Sequence, residues 1–171
     1  MAVKAKGNPR KYTPAVVAQI TNELRKKVLK AEAERRWIWN VDEVHFALSD
    51  HQRFAWALPN ENPWIPQTPQ KGMQSCSVIA AACAQTGQIL FDLQAQFQKQ
   101  EDVIPFISRI CCETPLNRKV AILWDNASAH KARTVKAHLA RLDVASIFNI
   151  AYSPQYNGIE HVFSDVKPRF R

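Results

Sequence analysis

A chain of 171 residues is long enough to close one hydrophobic core, and 46% hydrophobic with 22% charged residues is the balance of a folded globular protein. No apolar run approaches the roughly 20 residues that cross a bilayer, and the basic opening MAVKAKGNPRKY leads into no apolar signal core. A membrane or secreted protein is therefore not expected; the place expected is the nucleus of a eukaryote or the cytoplasm and nucleoid of a bacterium.

The formal charge of +8 is concentrated at one end: residues 1–36 hold 10 Lys/Arg against 3 Asp/Glu, net +7, and residues 37–171 hold 13 against 12, net +1. Residues 1–36 thus read as a basic arm and linker helix, and 37–171 as the main domain. Such an arm attracts a polyanion, nucleic acid above all, unless its lysines merely solvate a helix face. Within it Thr13-Pro14 is a helix start, Thr as cap and Pro at the first helical position. Val16, Val17, Ile20, Leu24, Val28 and Leu29 then follow at helical spacing, opposite Arg25, Lys26, Lys30 and Arg35.

At RRWIWNVDEVHFAL the period changes. Trp37, Ile38, Trp39, Val41 and Val44 are strand formers, with Asp42 and Glu43 set among them, and both Trp side chains are read as core. QRFAWALP reads as a second strand, hairpinned to the first, and NENPWIPQTPQKG, with three prolines, as loop. SCSVIAAACAQTGQILFDLQ reads as strand, turn at Gly87, strand. QEDVIPFISRICCET has helical spacing at Val103, Phe106, Ile107 and Ile110, with Pro105 in the first turn. KVAILWDN is a short strand of the buried type. HKARTVKAHLARL is a helix with Val135, Leu139 and Leu142 inward, VASIFNI a strand, and AYSPQYNGIEHVFSDVKPRF a loop followed by a helix from about Gly158 to near Pro168. The sum is an α/β mixed sheet with helices on its faces. Cys76, Cys83, Cys111 and Cys112 form no CxxC pair and read as reduced, mostly buried residues.

Three carboxylates stand where they need explaining. Asp42 lies inside the first core strand, Asp125 ends a buried strand, where open α/β sheets place ligands, and Glu160 falls on the first turn of the last helix. Each has an ordinary reading: a strand-to-turn ending for Asp125-Asn126, an exposed hairpin edge for Asp42-Glu43, a favourable helix-terminal charge for Glu160. If the three converge they repel, and a divalent cation removes that conflict. Oxygen donors select Mg²⁺ or Mn²⁺, and two such ions suit phosphodiester cleavage.

The blocks WNVDE, ILWDNASAH and YSPQYNGIEHVFSDVK resemble the three catalytic blocks of the mariner-type DDE transposases and their bacterial insertion-sequence relatives, with 34 residues between Asp125 and Glu160. The resemblance covers about residues 37–170. It implies a ribonuclease-H-like fold, with Asp42, Asp125 and Glu160 as ligands of two Mg²⁺ or Mn²⁺ ions in DNA strand cleavage and strand transfer. By the same resemblance Asn126 and His130 orient Asp125 or touch the DNA backbone, unless they cap a turn and a helix. Asn157 is a helix cap or supports the site, and Lys167 approaches phosphate or completes a helix end. Lys131, Arg133 and Lys136 are expected on phosphates, with DNA ends and target DNA as partners and a homodimer or larger assembly as the active form. The family's helix-turn-helix region is not expected in residues 1–36, and its last helix is expected to end early here. The rival expectations are another metal nuclease of this fold and an inactive DNA-binding remnant.

Overall fold

The computed structural model describes residues 13–47, 75–94, 100–149 and 157–166. Helix α1, Pro14–Ala33, begins as its sequence dictates: the Val16 amide donates to Thr13 Oγ1 at 3.4 Å, and Pro14 occupies a position whose missing N–H costs nothing. It ends before Arg35, which takes a φ of 58°. Strand β1, Arg36–Ala47, follows at once and becomes the middle of a five-stranded sheet. The remaining elements are β2, Ser75–Cys83; β3, Ile89–Gln94; α2, Gln100–Glu113; β4, Lys119–Trp124; α3, Arg133–Arg141; β5, Ala145–Phe148; and α4, Ile159–Val166. A 3₁₀ turn at Ala129–Lys131 precedes α3.

The strand order is β3-β2-β1-β4-β5. β1 pairs antiparallel with β2, and β2 with β3; β1 pairs parallel with β4, and β4 with β5. Because side chains alternate along a strand, β1 sends Trp39 and Val41 to one face and Ile38 and Val44 to the other. On the first face α2 and α3 close a core in which Phe106, Ile107, Ile110, Val135 and Leu139 meet Trp39, Ile79, Ile122 and Trp124. Trp39 is fully buried, and its indole N–H is satisfied by Thr114 Oγ1 at 3.0 Å. On the second face α1 lies over Ile38, Ala121, Leu123 and Ile147, and α4 covers Val44 and Ala80 with Ile159 and Phe163. Burying this much large apolar surface, at about 25 cal/mol per Å², is what holds the layers together.

Several expectations change in detail. Among the described side chains of α1, the row Ile20, Leu24, Val28, Ala31 packs on the sheet, while Val16 and Leu29 are exposed, because a helix resting on one face of a sheet buries one stripe. α3 starts at Arg133 rather than His130, and Leu142 sits at its C-cap, exposed rather than inward. Pro105 is exposed and falls one turn later in α2 than expected. β1 is no hairpin edge, since β2 and β4 flank it. Cys83 is buried and Cys112 exposed, both as free thiols. The expected strand at 52–59 and the loop after it lie outside the described residues.

Candidate active site at the carboxyl ends of the central strands

β1 and β4 run parallel side by side, and their ladder is in register up to Asn40 opposite Leu123. Continuing that register by two residues sets Asp42 level with Asp125, the first residue beyond β4. Glu160 enters from the second position of α4, whose first turn packs on β1 and β2. The three carboxylates singled out by sequence therefore gather at one end of the sheet.

Asp42 registers this crowding. Its Oδ1 accepts the Glu43 amide at 2.8 Å, and its Oδ2 accepts Asn157 Nδ2 at 3.4 Å. Burial raises its pKa and the Glu43 amide opposes that, while the charges of Glu160, Glu43 and Asp125 push further in the same direction as burial; the carboxyl is carried up to about 7. Asp125 moves the other way. Its contact with His130 is the main cause, the Ala127 amide adds to it, and the carboxyl is held below the usual range despite partial burial. The Ala127 amide and His130 Nδ1 both approach Oδ1, each at 2.9 Å, and Oδ2 has no partner among the described residues.

His130 is the hub. It is fully buried, and its ring stacks on Trp124 with centroids 4.4 Å apart and planes 4° apart. Nε2 lies 2.9 Å from Glu43 Oε1. Nδ1 meets Asp125 at 2.9 Å but off the line of a well-directed hydrogen bond, so this second contact is chiefly ionic. Burial alone lowers the imidazole pKa; Asp125 and Glu43 outweigh it and raise it to about 9, leaving an imidazolium at neutral pH. Of the expected roles, orienting Asp125 fits this geometry. Capping a helix does not, and a ring with no exposed surface touches no DNA backbone.

Asn126 donates to the Asn149 carbonyl at 2.6 Å, fastening the loop after β4 to the end of β5. Asn157, also buried, donates through Nδ2 to the Val41 carbonyl at 3.1 Å as well as to Asp42, and its own carbonyl accepts the Glu160 amide at 3.1 Å. It thus ties β1 to the first turn of α4 through its side chain on one side and its backbone carbonyl on the other; its side chain makes no capping bond to that helix, and Oδ1 is buried without a partner among the described residues. Next to it the Gly158 amide donates to Asn40 Oδ1 at 3.4 Å, and a Cβ at Gly158 would stand 3.4 Å from Asn40 Cγ. Lys131, on the turn that carries His130, and Arg133 and Lys136, on the helix that follows, are exposed, with Lys131 Nζ 5.3 Å above the Phe148 ring. Lys167 lies outside the described residues.

The sequence reading passed over Glu43. The signal was there: by alternation it shares a face with Trp39 and Val41, and a carboxylate on the buried face of a central strand requires a cation nearby.

Asp42, Asp125 and Glu160 offer only hard oxygens, and burial, with the charges of Glu160, Glu43 and Asp125 behind it, raises the Asp42 pKa, so the donor set fits Mg²⁺ or Mn²⁺. Among the described residues no three His, Cys, Asp or Glu side chains stand together closely enough to hold a metal ion.

Comparison with solved structures places the fold. The chain is similar to the Mos1 strand transfer complex at TM-score 0.69 and 17% identity, covering 99% of this chain and 52% of that one. It is similar to the Mos1 mariner paired end complex with Mn at TM-score 0.68 and 17% identity, covering 99% and 53%. The catalytic domain of Mos1 mariner transposase matches at TM-score 0.62 and 17% identity, covering 96% and 76%. The chain spans about half the length of the Mos1 chains in the two complexes. At this identity the likeness establishes the ribonuclease-H-like fold, as the three sequence blocks implied. No curated protein matches the chain in sequence. A family model described as DDE superfamily endonuclease does match, over residues 37–171, a span that opens at β1 and takes in Asp42, Asp125 and Glu160; the chain belongs to the DDE superfamily of endonucleases.

Proposed function

We propose that this chain is the catalytic domain of a DDE transposase, which cuts DNA strands and joins the freed 3′ ends to target DNA, with Asp42, Asp125 and Glu160 holding two Mg²⁺ or Mn²⁺ ions. The observation that carries the reading is the β1–β4 register, which sets Asp42 level with Asp125 just beyond the end of β4; burial, and after it the charges of Glu160, Glu43 and Asp125, raise the Asp42 carboxyl to about 7. Mos1, which shares the fold, is described in a strand transfer complex and in a paired end complex with Mn.

Bound there, the ions would neutralise the carboxylates and stabilise the charge on the attacking and leaving oxygens of an in-line displacement. The protein's own part is placement. Asp125 presents Oδ2 while its Oδ1 is engaged by Ala127 and His130. Asn157 keeps Asp42 and Glu160 at a fixed separation by bonding to β1 on one side and α4 on the other. Exposed Lys131, Arg133 and Lys136 lie on the same rim and would take phosphates, with DNA ends and target DNA as partners and a dimer or larger assembly as the working form.

The test is Mn²⁺-dependent nicking and strand transfer by the purified chain on duplexes with a pre-cut 3′ end. Asp125→Asn is expected to reduce both by about 10²–10³-fold or more, as when a group aimed at transition-state charge is lost. Nicking without joined product would favour a different nuclease of this fold. Parent and D125N behaving alike on saturating DNA would favour an inactive DNA-binding remnant.

A further inference from the structure

Asp125 leaves the sheet as soon as β4 ends, and its side chain is about half exposed. A carboxylate in that position turns freely unless something buried holds it. The Ala127 amide fixes one contact, at Oδ1, and the second comes from His130. His130 is itself constrained from two directions. Stacking on Trp124 sets the plane of its ring, but leaves a half-turn flip about Cβ–Cγ that keeps the plane and exchanges Nδ1 with Cδ2 and Nε2 with Cε1. Glu43, reaching across from β1 to Nε2 at 2.9 Å, selects one of the two orientations. With plane and flip both set, Nδ1 has one place to be, and it stands 2.9 Å from Asp125 Oδ1.

We infer that Glu43 is a positioning residue for Asp125, acting through His130 to fix where the carboxylate at the end of β4 stands. The assignment rests on the reading of Asp125 as a metal ligand. Glu43 and Asp42 are adjacent on β1 but serve opposite faces: Asp42 joins the carboxylate cluster directly, and Glu43 reaches it from beneath by way of the buried ring. Partners that orient a metal ligand in this way typically account for about 10–100-fold in metal affinity.

The inference is tested by Mn²⁺ titration of the intact chain, followed by loss of the free-ion EPR signal, for the parent, D125N, E43A, E43D and E43Q. Metal-free melting curves are recorded for each. D125N defines the site. E43A is expected to weaken Mn²⁺ binding by about tenfold or more. E43D keeps the negative charge but draws the acceptor back by one methylene, and is expected to behave like E43A. E43Q loses the charge but keeps an oxygen at Nε2, and is expected to bind Mn²⁺ close to the parent. This order separates positioning from a field effect, because a charge acting at a distance would spare E43D and penalise E43Q. If E43A does not fold, E43D and E43Q alone decide. Parent-like binding by E43D overturns the inference, as does binding by E43Q as weak as that of D125N. A parent chain without any D125N-sensitive Mn²⁺ site overturns the metal reading and this inference together.

Discussion

A buried cation stands at each end of the β1–β4 pair, Arg36 on β1 and His130 on the turn after β4, and the two are kept in opposite company. At the amino ends, Arg36 is almost wholly buried, and its guanidinium bonds Glu34 at 2.7 Å, the Val120 carbonyl at 3.1 Å and Asp143 Oδ1 at 2.9 Å, while Lys119 pairs with Asp143 at 2.7 Å. With Lys30 3.9 Å from Glu34, every anion there has at least two cationic partners. At the carboxyl end of β4, the buried His130 faces Glu43 and Asp125, and Asp42 feels the charges of Glu160, Glu43 and Asp125. The first end is balanced and its charges are held in their ordinary ionised states. The second has more negative charge than its own residues can neutralise, and Asp42 shows the strain. Balance suits a fastening, and an unmet negative charge suits a place where a cation is to be received.

Removing Arg36 is the largest test of that contrast in stability. Arg36→Met keeps most of the aliphatic stem but leaves the Val120 carbonyl without the guanidinium donor and Asp143 with Lys119 alone. The loss expected in chemical denaturation is about 2–4 kcal/mol. Because the fastening and the site are at opposite ends of the strands, Mn²⁺ affinity should stay with the parent. An R36M chain as stable as the parent would mean that the bracket is decorative.

Removing Asp42's charge should do the reverse and stabilise the metal-free chain. In the fold its carboxyl titrates at about 7 against an ordinary 3.8, so the folded state holds the proton more tightly than the unfolded one. The stability tied to that proton is complete below pH 3.8 and is lost as pH rises through 7. Asp42→Asn removes this loss, and at pH 8 in EDTA it should exceed the parent by about 1–2 kcal/mol, less than the full shift because water reaches part of the side chain. His130 has the same sign in a higher window: its stabilisation is complete below pH 6.5 and is lost as pH rises through about 9. Melting temperature against pH should therefore fall in two stages, the lower one absent in D42N. Saturating Mn²⁺ should flatten that lower stage in the parent. An unchanged profile in D42N would remove the claim of charge frustration.

What could be read beforehand follows the same contrast. Asp125 was legible because an apolar run, AILW, stops abruptly at a carboxylate, and Glu160 because it follows at a helix start with 34 residues between. Asp42 was legible as an acid among strand formers. All three are features of local sequence. The His130–Glu43 contact joins residues 87 positions apart, and Arg36 reaches Asp143 over 107; neither is encoded in a local period. Both depend on the parallel register of β1 and β4, which aligns Arg36 with Lys119 and carries Glu43 to the level of the turn that holds His130. Trp39 as core was plain from its strand context, whereas Leu142 and Leu29 failed because spacing says which side of a helix is apolar, not how wide a stripe the sheet covers.

The smallest effects belong to the surface cations, and there the contrast becomes one of paired against unpaired charge. On α1, Lys26 lies 3.1 Å from Glu23 and Lys30 3.9 Å from Glu34, exposed pairs of the kind that contribute below about 1 kcal/mol. On the rim beside His130, Arg133 and Lys136 are exposed and have no acidic partner among the described residues. A phosphate approaching α1 competes with a carboxylate already in place, and one approaching the rim does not. R133A/K136A should leave folding stability within about 0.5 kcal/mol and lower the slope of log affinity for DNA against log salt by about 0.9 for each phosphate no longer neutralised. K26A should lower it by less, since Glu23 already engages that lysine. Equal slopes for the two variants would show that the arm and the rim share the DNA evenly, and the rim would lose its claim to be the surface that delivers a strand to the acidic end of the sheet.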